Sequence, residues 1–153
     1  MHNIVVANDR IPAMSEMAID NVMQLQAHEL QKPQRDIPTT HIFHAGVYAR
    51  TIMIPAGVRL VGALIKVATV LIASGDFTVY LGEEVVELSG YHVFAASAGR
   101  KQAFIARTDT YLTMIFKTGV KSVSEAEEEF TDEFAMLSSR RIDAVNHVVM
   151  TGE

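Results

Sequence analysis

Cysteine is absent from the 153 residues, proline occurs four times, and aromatic residues make up 7%. Without cysteine, disulfides, thiolate metal sites and thiol nucleophiles are excluded together. No apolar run reaches the ~18 residues of a membrane span, so no membrane partner is expected. The start, Met1-His-Asn-Ile-Val-Val-Ala-Asn8, lacks a basic segment followed by an apolar one, so no secretion signal is read and cytoplasmic synthesis is expected. Also missing are G-x-S-x-G, a glycine-rich phosphate loop, H-E-x-x-H and a pair of catalytic acids. Positive charge is scarce as well. Residues 1–119 carry ten acidic and ten basic side chains, and residues 120–153 carry eight and three, which accounts for the net charge of -5. A neutral body with an acidic tail has no basic footprint for nucleic acid.

What is present is apolar: 49% hydrophobic residues and a mean hydropathy of +0.18. β-branched and apolar residues fill 51–54, 64–72, 77–81, 84–88, 91–95, 102–106 and 110–116. Turn signals separate them: Pro55-Ala-Gly57, Ser74-Gly75-Asp76, Gly82-Glu-Glu84, Ser89-Gly90, Ala98-Gly99-Arg100 and Thr108-Asp109. Short strands with a turn about every ten residues predict an all-β sandwich or barrel. No alternating helical pattern suggests a parallel α/β sheet. The length fits one globular domain, divided into an arm (1–40), a barrel (41–119) and a C-terminal helix and tail (120–153).

In the arm, residues 3–7 have the pattern of a short strand. Ser15 is a helix N-cap candidate, followed at helical spacing by Ile19, Val22, Met23, Gln26 and Leu30, and Lys32-Pro33 ends that helix. In the tail, Ser122 or Ser124 caps an acidic helix. Its stripe is Phe130, Phe134 and Leu137, with Arg140-Arg141 at the favoured cationic end. Val145–Met150 reads as a strand or a docked tail. Ala63–Ala73 holds one charge in eleven residues, so it lacks the alternation of a strand with one solvated face. Something beyond the barrel wall is needed to cover it, either the arm or a second subunit; the second is preferred, which predicts a homo-oligomer with the arm and tail at subunit contacts.

The barrel stretch resembles the cupin superfamily, a jelly roll or double-stranded β-helix. The residues that carry the likeness are Ile54-Pro-Ala-Gly57, Val70-Leu-Ile-Ala-Ser-Gly75-Asp-Phe-Thr-Val79, Gly82–Phe94 and Ser97–Phe104. Gly46-Val-Tyr-Ala-Arg50-Thr-Ile-Met-Ile-Pro-Ala-Gly57 is similar to small cupin-like proteins of tailed bacteriophages. The superfamily likeness implies a metal held by histidines and a carboxylate inside the barrel. Where those ligands would fall, this chain has Val61-Gly-Ala-Leu-Ile65, then Ala68 or Thr69, and Gln102. The fold is therefore expected without its metal, and no cofactor is expected.

Four polar residues are candidates for the barrel lumen: Gln102 at the position of the last ligand, Lys66 and Arg50 within apolar strands, and His92. His41 and His44, three apart on an extended strand, point to opposite faces and cannot chelate together without a turn. The acidic run Glu125–Glu129 fits a solvated helix face. The function expected from the likeness is a non-enzymatic structural protein that self-assembles, as a virion accessory component with other virion proteins as partners. The alternative is a metal-free small-molecule binding module lined by Gln102, Lys66 and Arg50. A metal-dependent cupin enzyme, which would need His41, His44 and His92 to converge, ranks below both.

Overall fold

The structure, a computed structural model, describes residues 9–153; the strand expected at residues 3–7 lies outside them. In chain order the elements are β1 (Arg10–Ile11), α1 (Glu16–Glu29), β2 (Thr39–His44), β3 (Val47–Ile54), β4 (Arg59–Val61) and β5 (Thr69–Tyr80). They continue with β6 (Val85–Ala96), β7 (Ala103–Ala106), β8 (Thr110–Lys117), α2 (Val123–Phe130) and β9 (Asn146–Met150). The chain is predominantly β. The strands lie in the order β1-β6-β5-β8-β3-β2-β9, with β7 joining β5 to β4. Most pairs are antiparallel; β1 runs parallel to β6 and β9 parallel to β2.

Two sequence-predicted turns, at Ser74-Gly75-Asp76 and Ser89-Gly90, are not turns. They lie inside the long hairpin β5–β6, where Gly75 faces Gly90 across the ladder. Gly75 has φ +147, and a Cβ there would sit 2.6 Å from Thr110 Oγ1. Below this point β5 pairs with β8 through Val70–Ser74; above it, β5 pairs with β7 through Phe77–Tyr80. The paired glycines are thus the corner at which one strand leaves one layer and enters the other; a side chain at Gly75 would block the bend, and Gly90 has φ +89. The core between the layers contains Leu71, Ala73, Phe77, Val79, Leu88, Phe94, Phe104 and Leu112.

The strand expected over 64–72 begins only at Thr69, and it alternates: Thr69, Leu71 and Ala73 are buried, whereas Val70 is 45% exposed. The missing alternation in the sequence arises because its outward residues are apolar too.

α1 is capped by Ser15, whose Oγ accepts from the Ala18 N–H at 3.1 Å. It buries Ala18 and Val22. Gly82, in the β5–β6 turn, lets the helix approach, since a Cβ there would run into Ala18.

The acidic helix is shorter than its apolar stripe predicts. α2 stops at Phe130, Thr131 is extended, and two single 3-10 turns follow at Phe134–Met136 and Ser138–Arg140. The cause is Glu127, which bonds both Ser139 and Arg140. An unbroken helix would carry those residues ~18 Å away at 1.5 Å per residue.

Candidate functional site

A cavity of about 550 Å³ opens from the barrel interior between the C-terminal end of α1, β4 and residues 133–141. That is within the range usual for small-molecule pockets. The inward residues of three strands make its apolar wall: Ile52 from β3, Leu71 from β5, and Leu112 and Met114 from β8. Phe104 of β7 and Phe130 of α2 extend it. Eight charged side chains also line it. Six of them are cationic, although the chain is net acidic.

Arg50 reaches the wall from β3 but is committed elsewhere. Its Nη1 donates to Glu127 Oε2 at 2.8 Å and to Tyr48 Oη at 3.3 Å, and its Nη2 donates to Ser139 Oγ at 2.9 Å. Arg140 Nε donates to the other Glu127 oxygen at 2.7 Å. Burial pushes the Glu127 carboxyl upward, but the bonds from Arg140, Ser139 and Arg50 outweigh it and hold the carboxyl below its ordinary value. His41 continues the chain of bonds, with Nδ1 2.6 Å from Tyr48 Oη and Nε2 2.6 Å from Asn146 Oδ1. Asn146 Nδ2 donates to the Ser139 carbonyl. Asn146 Oδ1 therefore accepts from the His41 Nε2–H, and Nδ1 is left to accept the Tyr48 hydroxyl proton. Burial keeps His41 below its ordinary pKa, in agreement with a neutral ring.

Arg100, Gln102 and Phe104 follow at i, i+2 and i+4, which puts them on one face of an extended segment. All three line the cavity. Arg100 is only 2% exposed. It donates to the Ser97 carbonyl at 2.7 Å, the Thr69 hydroxyl at 2.7 Å and the Val67 carbonyl at 3.5 Å. Among the described residues no carboxylate pairs with it, and burial lowers its pKa to about 10. The neighbouring Lys101, fully buried, is neutralised by Glu133 at 2.7 Å. Gln102, 7% exposed, lies on the cavity wall and makes no side-chain hydrogen bond among the described residues.

The four candidate residues separate into two pairs. Gln102 and Arg50 line the cavity; Lys66 and His92 do not. Lys66 lies in the loop before β5, and its ammonium meets the exposed Asp132 at 2.7 Å. His92 stacks on Phe94 with centroids 5.6 Å apart, and its Nε2 meets the Ser89 carbonyl at 2.9 Å. His44 is near the surface, beside Thr151. Arg100 was missed because Gly99-Arg-Lys looks like an exposed turn; its two-residue spacing from Gln102 was the available signal.

A bound metal, as the cupin likeness implies, does not fit this wall. Among the described residues no three His, Asp or Glu side chains gather as ligands. The lumen offers guanidinium and amide groups instead, and cations on the wall oppose a cation in the cavity.

No family model matches the chain, and no curated protein matches it. Solved structures do. Salicylate 1,2-dioxygenase from Pseudoaminobacter salicylatoxidans is similar with a TM-score of 0.50 and 12% identity, over 85% of this chain and 40% of that one. A cupin superfamily protein from Desulfitobacterium hafniense has a TM-score of 0.46 and 12% identity, over 57% of this chain and 84% of that one. A cupin-2 domain containing protein from Shewanella frigidimarina has a TM-score of 0.43 and 9% identity, over 65% of this chain and 97% of that one. The fold is cupin-like. At these identities the likeness extends to the fold alone, so the chemistry of the cupin-like barrel has to be argued from its own side chains.

Proposed function

We propose that this cupin-like chain is a binding module for a small molecule held in the open part of its barrel. The observation that carries the reading is the ~550 Å³ cavity with apolar walls and the Gln102 side chain on its wall, whose amide has no hydrogen-bond partner among the described residues. An amide open to a cavity suits a ligand whose polar group supplies the partner. The wall presents groups that orient a ligand, and among the described residues no nucleophile sits beside a base on it. Native mass spectrometry of the purified chain tests the reading. The expected spectrum carries an added small-molecule mass, which Gln102→Trp, by filling the cavity, removes. A bare chain whose melting temperature no member of a metabolite library raises would count against it.

A second reading, self-association, is favoured by the outer face of the sheet. Three outward rows cross it: Ala95-Val70-Ile115-Ala49-Ile42-Val149, then Val93-Ile72-Thr113-Thr51-Thr40-His147, and Tyr91-Ser74-Tyr111-Met53. None of these positions holds a carboxylate, lysine or arginine, and Tyr91 is 67% exposed. At strand spacings of about 4.8 Å the face measures roughly 25 by 20 Å. That is about 500 Å² in projection, the larger part of the ~800 Å² which each partner of a standard interface buries. Sedimentation of the chain should give a dimer or higher symmetric oligomer that Val93→Glu dissociates. A monomer at all concentrations would reject the reading. The virion role expected from the sequence rests on the twelve-residue likeness alone, and no feature of the fold adds to it.

A further inference from the structure

We infer that the molecule held in this cavity is a small organic acid, its carboxylate lodged between the Arg100 guanidinium and the Gln102 amide and its apolar body against Ile52, Leu71, Phe104 and Leu112. The inference rests on the binding reading and adds the class of ligand.

Arg100 supplies the first part of the argument. A guanidinium has five N–H donors, and three acceptors engage Arg100, so two donors remain. It is 2% exposed and, among the described residues, has no carboxylate within 4 Å. A buried charge without a counter-ion is costly, and most proteins supply one. This chain does so for the other two buried cations: Glu127 for Arg50 and Glu133 for Lys101. Arg100 lacks the equivalent, and it is on the cavity wall.

Gln102 supplies the second part. It is 7% exposed, lines the cavity, and bonds to nothing through its side chain among the described residues. Two residues along an extended strand span about 6.7 Å, so Arg100 and Gln102 can meet one head group with two oxygens. The surrounding charge agrees. Both carboxylates on the wall are occupied, Glu29 by Arg59 and Lys32 and Glu133 by Lys101, so none repels an anion freely. One unpaired buried cation beside one amide matches a single negative charge better than a phosphate dianion. The apolar remainder of the wall needs a hydrocarbon body.

Calorimetric titration of the full chain with hexanoate, benzoate, hexanamide, benzamide and inorganic phosphate tests the assignment. The acids should bind at least about tenfold tighter than their amides, the usual effect of a charge-assisted bond. Arg100→Met should weaken the acids about thirtyfold or more and leave the amides unchanged. Arg100 also ties Ser97 to Thr69, and that variant can fail to fold. Gln102→Leu removes no bond found among the described residues, so it keeps the test intact, with an expected loss of about tenfold for the acids. Amides that bind as tightly as acids would overturn the anion assignment and leave the binding reading standing. Phosphate binding tighter than both acids would overturn the organic acid in favour of a phosphate ligand. If no probe binds at about 10 mM, well above the millimolar Kd of a weak complex, both readings fall together.

Discussion

The barrel holds two arginines that are almost equally buried, and they are used in opposite ways. Arg50 is locked to Glu127, Ser139 and Tyr48, and through them to His41, Asn146 and Arg140. Together these bonds tie β2, β3, α2 and β9 into one arrangement. Among the described residues Arg100 is bound to two carbonyls and one hydroxyl, all neutral. The difference shows that burial alone does not mark a functional charge. What separates the two is the counter-charge. Both arginines touch the cavity and both engage three acceptors, but Arg50 has a carboxylate among its partners and Arg100, among the described residues, has none.

The comparison breaks most severely if Arg50 is put in the position of Arg100. Glu127→Gln removes its counter-charge at nearly constant shape, and urea unfolding should show a loss of roughly 3 kcal/mol, the cost of leaving one partner of a buried pair alone. A loss below about 1 kcal/mol would mean that the cavity already solvates Arg50. Acid should have the next largest effect. His41 is neutral in the fold with a pKa below its ordinary 6.5, so between those values the unfolded chain binds more protons and stability falls as pH falls. Its slope can reach about 1.4 kcal/mol per pH unit. The Glu127 contribution, held by a lowered carboxyl, is present above its ordinary 4.5 and is lost as pH falls through the lowered value. Unfolding curves from pH 8 to 3 should therefore show two successive losses, and His41→Gln should flatten the upper one. The smallest effect belongs to the other side of the comparison. Gln102→Leu deletes an amide that bonds to none of the described residues, so stability should change by less than about 1 kcal/mol, or rise slightly. A larger loss would show that the amide has a structural partner after all.

Much of the β architecture could be read from the strand-and-turn spacing, and the N-cap at Ser15 from its residue type. The errors have a common physical origin. Ser74-Gly75-Asp76 and Ser89-Gly90 have the local chemistry of turns, and glycine serves a bend inside a strand for the same steric reason that it serves a turn. Only the pairing of Gly75 with Gly90 tells the two apart, and that pairing is a long-range fact. The acidic helix failed in a similar way, because Phe130, Phe134 and Leu137 keep helical spacing while Glu127 draws Ser139 and Arg140 back on themselves. At the site, Gln102 came within reach through the last ligand position of the cupin likeness, and Arg50 as a polar residue in an apolar strand. Lys66 looked comparable until its segment proved to be a loop beside Asp132. Arg100 was hidden by a turn-like neighbourhood, although its spacing from Gln102 carried the information.

One feature of the buried network bears on how the chain reaches its fold. Arg50 and His41 lie some 80 to 105 residues before the groups that complete them, Glu127, Ser139 and Asn146. On a ribosome the barrel strands emerge while those partners are still unmade. Until then Arg50 has no counter-ion and β2 has no outer neighbour. Contacts this distant in sequence slow folding, because a long loop must close before they are made. The closing of the barrel is therefore expected to come late, with the docking of residues 123–150.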